Sequence, residues 1–169
     1  MQAISEATIY TIWQEMNDLD PDSAIQMVED LVENQPILVN YLIQTGQDFL
    51  SAEEQEFFMF LGLSIFLAFE KSGARIPEIP HSAIESAEKR NASMVKYLSE
   101  EPESDILNTV LNIWKGYNQR GLLRFLIETI VDDEENNEMF EDDEHRAFVF
   151  IGLKTLIDCL DDVCTVPEN

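Results

Sequence analysis

The sequence contains two similar stretches of chain in the same order. Asn34 to Thr45 reads NQPILVNYLIQT, and Asn118 to Thr129 reads NQRGLLRFLIET. A second string, FFMFLGL from Phe57, returns as AFVFIGL from Ala147. The distance between the matched strings grows from 84 to 90 residues because the second copy carries an acidic insertion. A recurrence in fixed order on this scale indicates a duplicated helical module.

The apolar residues of both copies follow helical spacing. Ile9, Ile12, Trp13 and Met16, for example, fall at i, i+3, i+4 and i+7, which places them on one helix face. Alternating patterns typical of strands are lacking in the sequence. We therefore predict an all-α fold of about eight helices, arranged as two tandem four-helix repeats that share one core, either a short solenoid or a pseudo-symmetric bundle. The expected helices span 5–17, 20–34, 36–45, 52–72, 82–99, 104–117, 120–130 and 143–160.

Several residues predict where these helices begin and end. Asp20 precedes Pro21 as an N-cap before a proline at the first helical position, and Ser51 heads the capping-box string SAEE. Gly62 and Gly152 stand at matching places inside two strongly apolar helices. Because glycine in a helix interior costs about 1 kcal/mol relative to alanine, these two glycines indicate close helix approaches.

The length of 169 residues is that of one ordinary domain. We expect a single co-folded domain over residues 1–169, with repeat 1 at about 5–72, a linker at 73–81 and repeat 2 at about 82–161. The linker contains two prolines. The helix from Ala52 is apolar almost all round from Phe57 onward, so we expect it at the centre of the core, with its counterpart in copy two beside it.

The charge of the chain restricts its partners. The net charge is −24, and residues 1–70 contain thirteen acidic side chains and no lysine or arginine. Such a field disfavours nucleic acid and anionic membranes and favours a basic protein partner. The N-terminus lacks the pattern of a signal peptide, and the apolar run 57–69 is shorter than the roughly 20 residues that span a bilayer. These features predict a cytoplasmic protein without membrane association.

One acidic stretch fits two interpretations. Asp18, Asp20, Asp22 and Glu29 occupy positions 1, 3, 5 and 12 of an EF-hand-like register, which would make them calcium ligands. Position 6 of that register, where an EF-hand needs glycine, is Ser23. The same residues are also explained by a helix that begins at Pro21. We keep calcium binding as an alternative to the helix-cap interpretation.

The insertion in copy two is the other acidic candidate. One register of it also imitates a calcium loop, although a block of like charge is usually a solvated loop or a docking segment. We expect the partner-binding residues to come from the turn between the first two helices and from this insertion. They are Asp18, Asp20, Asp22, Glu29, Asp30, Asp132, Asp133, Glu134, Glu135, Glu141, Asp142, Asp143 and Glu144.

Motifs that would identify a catalytic site are lacking in the sequence. We expect His81 and His145 at the surface, and Cys159 and Cys164 as ordinary reduced thiols. No catalytic residue and no cofactor are predicted. The leading hypothesis is an acidic all-helical interaction module of the adaptor, chaperone or inhibitor/immunity type that binds a basic protein partner. The alternatives are a calcium-binding helical protein and an enzyme with an unrecognised carboxylate site.

Overall fold

A computed structural model describes residues 2–132 and 139–165 of the chain, and within them the fold is all-α. The described residues form eight α-helices and one π-helical segment, Glu128–Asp132, which directly follows α7. The β-structure in this part of the chain is a single isolated antiparallel bridge between Arg75 and Thr165. The helices are α1 (Glu6–Asn17), α2 (Pro21–Asn34), α3 (Pro36–Gln44), α4 (Ala52–Lys71), α5 (His81–Glu100), α6 (Glu103–Gly116), α7 (Arg120–Ile127) and α8 (Asp143–Val163).

The helix starts follow the capping residues. Asp20 caps α2, and its side chain accepts a hydrogen bond from the Ser23 backbone N–H. Ser51 and Glu54 form a complete capping box at the start of α4. These bonds satisfy backbone N–H groups that have no partner within the helix. The predicted starts of α2 and α4 are therefore confirmed.

The two longest apolar helices lie together at the centre of the molecule. α4 and α8 pack against each other, α1 packs on α4, and α5 packs on α8. Phe58 and Phe69 of α4 and Leu153 and Ile157 of α8 are fully buried in one contiguous hydrophobic cluster. This cluster takes buried side chains from both halves of the sequence, which is the shared core that the apolar pattern predicts.

Two glutamines hold the segments that lead into α1 and α5. Gln35, at the start of α3, accepts a bond from the Ile79 N–H at 3.0 Å and donates to the Pro77 carbonyl at 3.0 Å. Gln119, at the start of α7, accepts from the Ile4 N–H at 2.9 Å and donates to the Gln2 carbonyl at 3.3 Å. Each glutamine is buried and clamps the segment that begins the other half. The geometry is reciprocal, although superposition of the two copies stays a prediction.

Gly62 and Gly152 both lie at close approaches, but against different neighbours. A Cβ atom on Gly62 would come closer than 3.0 Å to the Leu42 side chain of α3. A Cβ atom on Gly152 would lie 2.7 Å from Phe58 Cε2 of α4. Gly62 therefore allows a close contact with α3, and Gly152 allows the close contact between α4 and α8.

α2 and α6 are packed less tightly than their apolar patterns indicate. Leu31 is the buried side chain that α2 contributes, while Ile25 and Val32 are exposed. In α6 none of the described side chains is buried, and Leu107 is 68% exposed. Apolar spacing identified both helices correctly but overestimated how far the chain itself covers them.

The end of the helix predicted for 120–130 differs from expectation. Regular α-helix ends at Ile127, and the π-helical segment continues to Asp132. Within it Ile130 is fully buried, while Glu128 accepts hydrogen bonds from Tyr10 at 2.6 Å and from Arg124 at 2.7 Å. The wider turn thus combines a core contact with two polar contacts.

None of the helices in residues 2–132 and 139–165 is both long and apolar enough to span a bilayer.

Candidate functional site

The acidic turn between α1 and α2 is organised by helix capping. Asp18 is the C-cap of α1, and its backbone N–H bonds to the Gln14 carbonyl at 3.1 Å. Asp20 Oδ2 accepts from the Ser23 hydroxyl at 2.6 Å, and Oδ1 accepts from the Ser23 N–H at 3.1 Å. The Ser23 bonds lower the pKa of the Asp20 carboxyl. Asp20 therefore has a structural role, whereas Asp22 is an exposed residue of the first turn of α2.

The same geometry bears on the calcium alternative. Residues 21–29 are helical, so they do not form the loop that wraps the ion in an EF-hand. Among the described residues there is also no group of three or more His, Cys, Asp or Glu side chains that could hold a metal ion. The structure brings together no ligand set from Asp18, Asp20, Asp22 and Glu29.

A cleft of about 560 Å³ lies between α2 and α4, next to the segment that follows α4. Its floor is apolar. Leu31, Leu63 and Phe66 are buried there, and Met27 and Leu67 are partly buried at its walls. Because α2 contributes only Leu31 to the buried core, Met27 and Leu67 at the walls stay partly open to solvent along this cleft. Its volume lies within the range of ligand-binding clefts.

The rim of the cleft is polar and acidic. Asp30 on α2 and Glu70 on α4 line it, and Gln26 donates a hydrogen bond to Asp30 at 2.9 Å. None of the described residues that line the cleft is basic. Of the residues predicted to bind a partner, Asp30 lines this cleft, while Asp18, Asp20, Asp22 and Glu29 lie outside its lining.

The second predicted surface is partly structural and partly outside the described residues. Asp142 is the N-cap of α8 and accepts from the backbone N–H groups of Glu144 and His145 at 2.8 and 2.9 Å. Asp143 is highly exposed and accepts from Arg146 at 2.6 Å, and Glu144 is exposed. Asp132 ends the π-helical segment. Asp133, Glu134 and Glu135 lie outside the part of the chain that the structure describes.

Sequence reasoning missed a buried pair between the starts of α4 and α8. His145 is 7% exposed, so its predicted surface position is wrong. Its Nδ1 lies 2.9 Å from Glu54 Oε2. The fully buried Glu54 carboxylate also accepts from the Ser51 N–H at 2.7 Å and the Glu141 N–H at 2.9 Å, and the Phe49 ring packs 4.3 Å from the imidazole. Glu141 keeps an exposed side chain.

The pair shifts the ionisation of both of its members. Burial raises the pKa of the Glu54 carboxyl, but the hydrogen bonds from Glu141, His145 and Ser51 outweigh burial and lower that pKa to about 2. The bond to Glu54 raises the pKa of His145 against the opposing effect of burial. Both shifts favour a charged carboxylate beside a protonated imidazole. The capping-box string SAEE was a signal for Glu54, but nothing near His145 in sequence indicates its partner.

A second buried polar cluster joins α5 to α8. Lys154 Nζ donates to Asn91 Oδ1 at 2.8 Å and to Asp158 Oδ2 at 2.7 Å, and it lies 4.8 Å from the centre of the Tyr117 ring. The Tyr117 hydroxyl donates to Asp158 Oδ1 at 2.5 Å. Burial, followed by the charge of Asp158, raises the pKa of Tyr117 and keeps the phenol neutral. The charged groups are paired within the cluster, which is what burial of a lysine requires.

The two cysteines are free and buried, as expected of reduced thiols. Burial, as the main cause, raises the pKa of Cys159 to about 12 and that of Cys164 to about 11. A thiolate is the reactive form of cysteine, so neither side chain is activated as a nucleophile at neutral pH.

Comparison with protein-family models, with curated proteins and with solved structures gave no match for this chain.

Proposed function

We propose that this protein is an acidic helical interaction module that binds a basic amphipathic helix of a partner protein in the cleft between α2 and α4. The observation that carries the proposal is the composition of that cleft, which combines an apolar floor with an acidic rim. An amphipathic helix recognised in a groove needs both parts, one for its apolar face and one for the charges that flank it. The cleft thus supports an adaptor or inhibitor type of function.

The charge of the surrounding half supports the same partner chemistry. Residues 1–70 carry thirteen acidic side chains, and this half of the chain contains no lysine or arginine. Their carboxylates are balanced in part from elsewhere, as when Glu15 pairs with Lys71 and Glu6 with Arg124. Asp30 and Glu70 at the rim have no such ion pair among the described residues. The resulting field attracts cations and speeds the approach of a basic segment.

The test uses a synthetic helical peptide of leucine and lysine, about 14 residues long, matched to the length of α2. We expect binding in the range of about 1–100 µM at low salt, measured by calorimetry. Affinity should fall as NaCl rises toward physiological strength, because exposed charges are screened beyond about 8–10 Å. A lysine–serine peptide of equal charge should bind more weakly, since it lacks apolar contacts for the cleft floor.

Two pairs of charge reversals distinguish binding in the cleft from attraction by the overall negative charge. Asp30→Lys with Glu70→Lys changes the rim, whereas Asp48→Lys with Glu56→Lys changes the net charge equally at exposed sites outside the cleft. The rim pair should weaken binding of the leucine–lysine peptide at least tenfold, and the control pair by much less. Asp20 is left unchanged because its reversal would remove the cap of α2. Equal effects of the two pairs would show that the cleft is not the binding site.

A further inference from the structure

We propose that two copies of this chain associate through α6, paired antiparallel across a two-fold axis. Residues 106–114, ILNTVLNIW, form a stretch of nine residues without a charged side chain. Leu107, Val110, Leu111 and Trp114 fall at i, i+3, i+4 and i+7 and so share one face of α6. Leu107, Val110 and Leu111 are all exposed. This face is an uncovered apolar stripe on a highly charged molecule.

Comparable uncharged stretches elsewhere in the chain are covered by the chain itself. In α3, Leu38, Val39, Tyr41 and Leu42 are buried. In α4 the run 57–69 contributes most of the buried residues of that helix. α6 contributes none from its described side chains, and Val95 and Tyr97 near the end of α5 are exposed as well. Exposed apolar surface of this kind marks a site of association.

The charge distribution selects a second copy as the occupant. Residues 71–131 carry eight basic and eight acidic side chains, so this segment is electrically neutral. Residues 1–70 carry thirteen acidic side chains with no basic one, and residues 132–169 carry thirteen with only two basic ones. Two molecules of charge −24 repel each other, and a contact made by a segment of zero net charge adds no net charge of its own to that repulsion. A basic partner, by contrast, is drawn to the acidic ends of the sequence.

Helix geometry gives the arrangement and its expected strength. An antiparallel pair centred near Val110 brings Leu107 and Leu111 of each copy against α6 of the other, as a two-fold interface requires. Antiparallel helices also place opposite ends of their dipoles together. α6 has 14 residues and is about 21 Å long, so this interface is smaller than that of a standard complex. We expect a weak dimer with a dissociation constant of about 10–100 µM.

The test is sedimentation equilibrium of the full chain at protein concentrations from about 5 to 500 µM, chosen to bracket that constant. The dimer fraction should rise with concentration and should also rise with NaCl, because salt screens the repulsion between copies. This salt dependence is opposite to the one expected for the basic peptide, so the two proposals can fail separately. A chain that stays monomeric throughout, at low and at high salt, would overturn the proposal and leave α6 for a different partner.

Matched variants identify the interface. Leu107→Glu with Leu111→Glu should abolish the dimer, and far-ultraviolet circular dichroism should be unchanged because both side chains are exposed. Ile25→Glu with Val32→Glu adds the same charge at exposed apolar positions of α2 and should leave more than half of the wild-type association constant. If the α2 pair disrupts the dimer as strongly as the α6 pair, the stripe on α6 is not the contact.

Discussion

At the scale of single residues, the pair of Glu54 and His145 has the strongest physical signature. Its carboxylate is fully buried yet accepts bonds from two backbone N–H groups and from the imidazole. Charged hydrogen-bonded pairs of this kind join elements that are far apart in sequence, here the start of α4 and the start of α8. Removing one partner leaves the other charge buried and uncompensated.

We predict a pH-dependent stabilisation from His145. Its pKa is raised on folding, so the stabilisation is complete below the unfolded value of about 6.5 and is lost as the pH rises through the higher folded value. His145→Gln should therefore destabilise the fold most at pH values below about 6.5, and its cost should shrink as the pH is raised. Glu54 stays ionised over this range because its pKa lies at about 2. Urea unfolding at several pH values measures the difference.

Glu53→Gln is the control for Glu54→Gln, since both residues lie in the first turn of α4 but Glu53 is exposed. Glu54→Gln should lower the free energy of unfolding and remove most of its dependence on pH. Glu53→Gln should do neither. If the difference in unfolding free energy between wild type and His145→Gln grows with rising pH, the assignment of a protonated imidazole is wrong.

At the scale of helices, sequence reasoning succeeded where the signal is local. The starts of α2 and α4 were predictable because Asp20, Pro21 and Ser51 act within their own turn. It failed where the deciding contact is distant. His145 gives no local hint of Glu54, which lies 91 residues earlier. The exposure of α6 was also unpredictable, because an amphipathic pattern shows which face is apolar but not which neighbour covers it.

The reciprocal glutamine clamps lead to a second prediction. Gln35→Ala would leave the buried Ile79 N–H without its acceptor, and Gln119→Ala would do the same to the Ile4 N–H. An unpaired buried donor costs about 1–3 kcal/mol, so each variant should lose that amount of unfolding free energy. The exposed Gln47→Ala is the control and should stay within about 0.5 kcal/mol of wild type. Urea denaturation measures all three.

Hydrogen exchange at Ile4 and Ile79 adds a local measure of the same clamps. Each variant should speed exchange at its own clamped amide more than at the other. If either substitution is neutral in both measurements, the corresponding clamp does not hold the chain, and the reciprocity seen in the geometry has no energetic counterpart.

At the scale of the whole molecule, the core and the surface act in opposite directions. One hydrophobic cluster joins both halves of the chain around α4 and α8. The surface carries most of 34 acidic side chains against ten basic ones. Exposed like charges oppose the compact state. The ion pairs of Glu15 and Glu6 in α1 take their cations, Lys71 and Arg124, from outside residues 1–70. The hydrophobic core therefore has to outweigh the electrostatic repulsion among the carboxylates at the surface.

We accordingly predict that added salt stabilises the fold. Raising NaCl from about 20 mM to about 500 mM shortens the screening length from tens of ångströms to a few, which weakens repulsion among exposed carboxylates. The melting temperature should rise by several degrees, and it should do so at dilute protein concentration, where dimers do not form. Because exposed ion pairs contribute little, their weakening by the same salt is the smaller effect.

A variant with three fewer acidic side chains provides the control. Replacing Asp48 by asparagine and Glu53 and Glu56 by glutamine removes three of the thirteen negative charges of residues 1–70 at exposed positions, without touching the core. This variant should melt higher than wild type at low salt and should gain less from added NaCl, because part of the repulsion is already removed. A wild-type melting temperature that falls with NaCl would mean that specific ion pairs outweigh the net repulsion. In that case the acidic surface would stabilise the folded chain itself, and its charge would no longer argue for a basic partner.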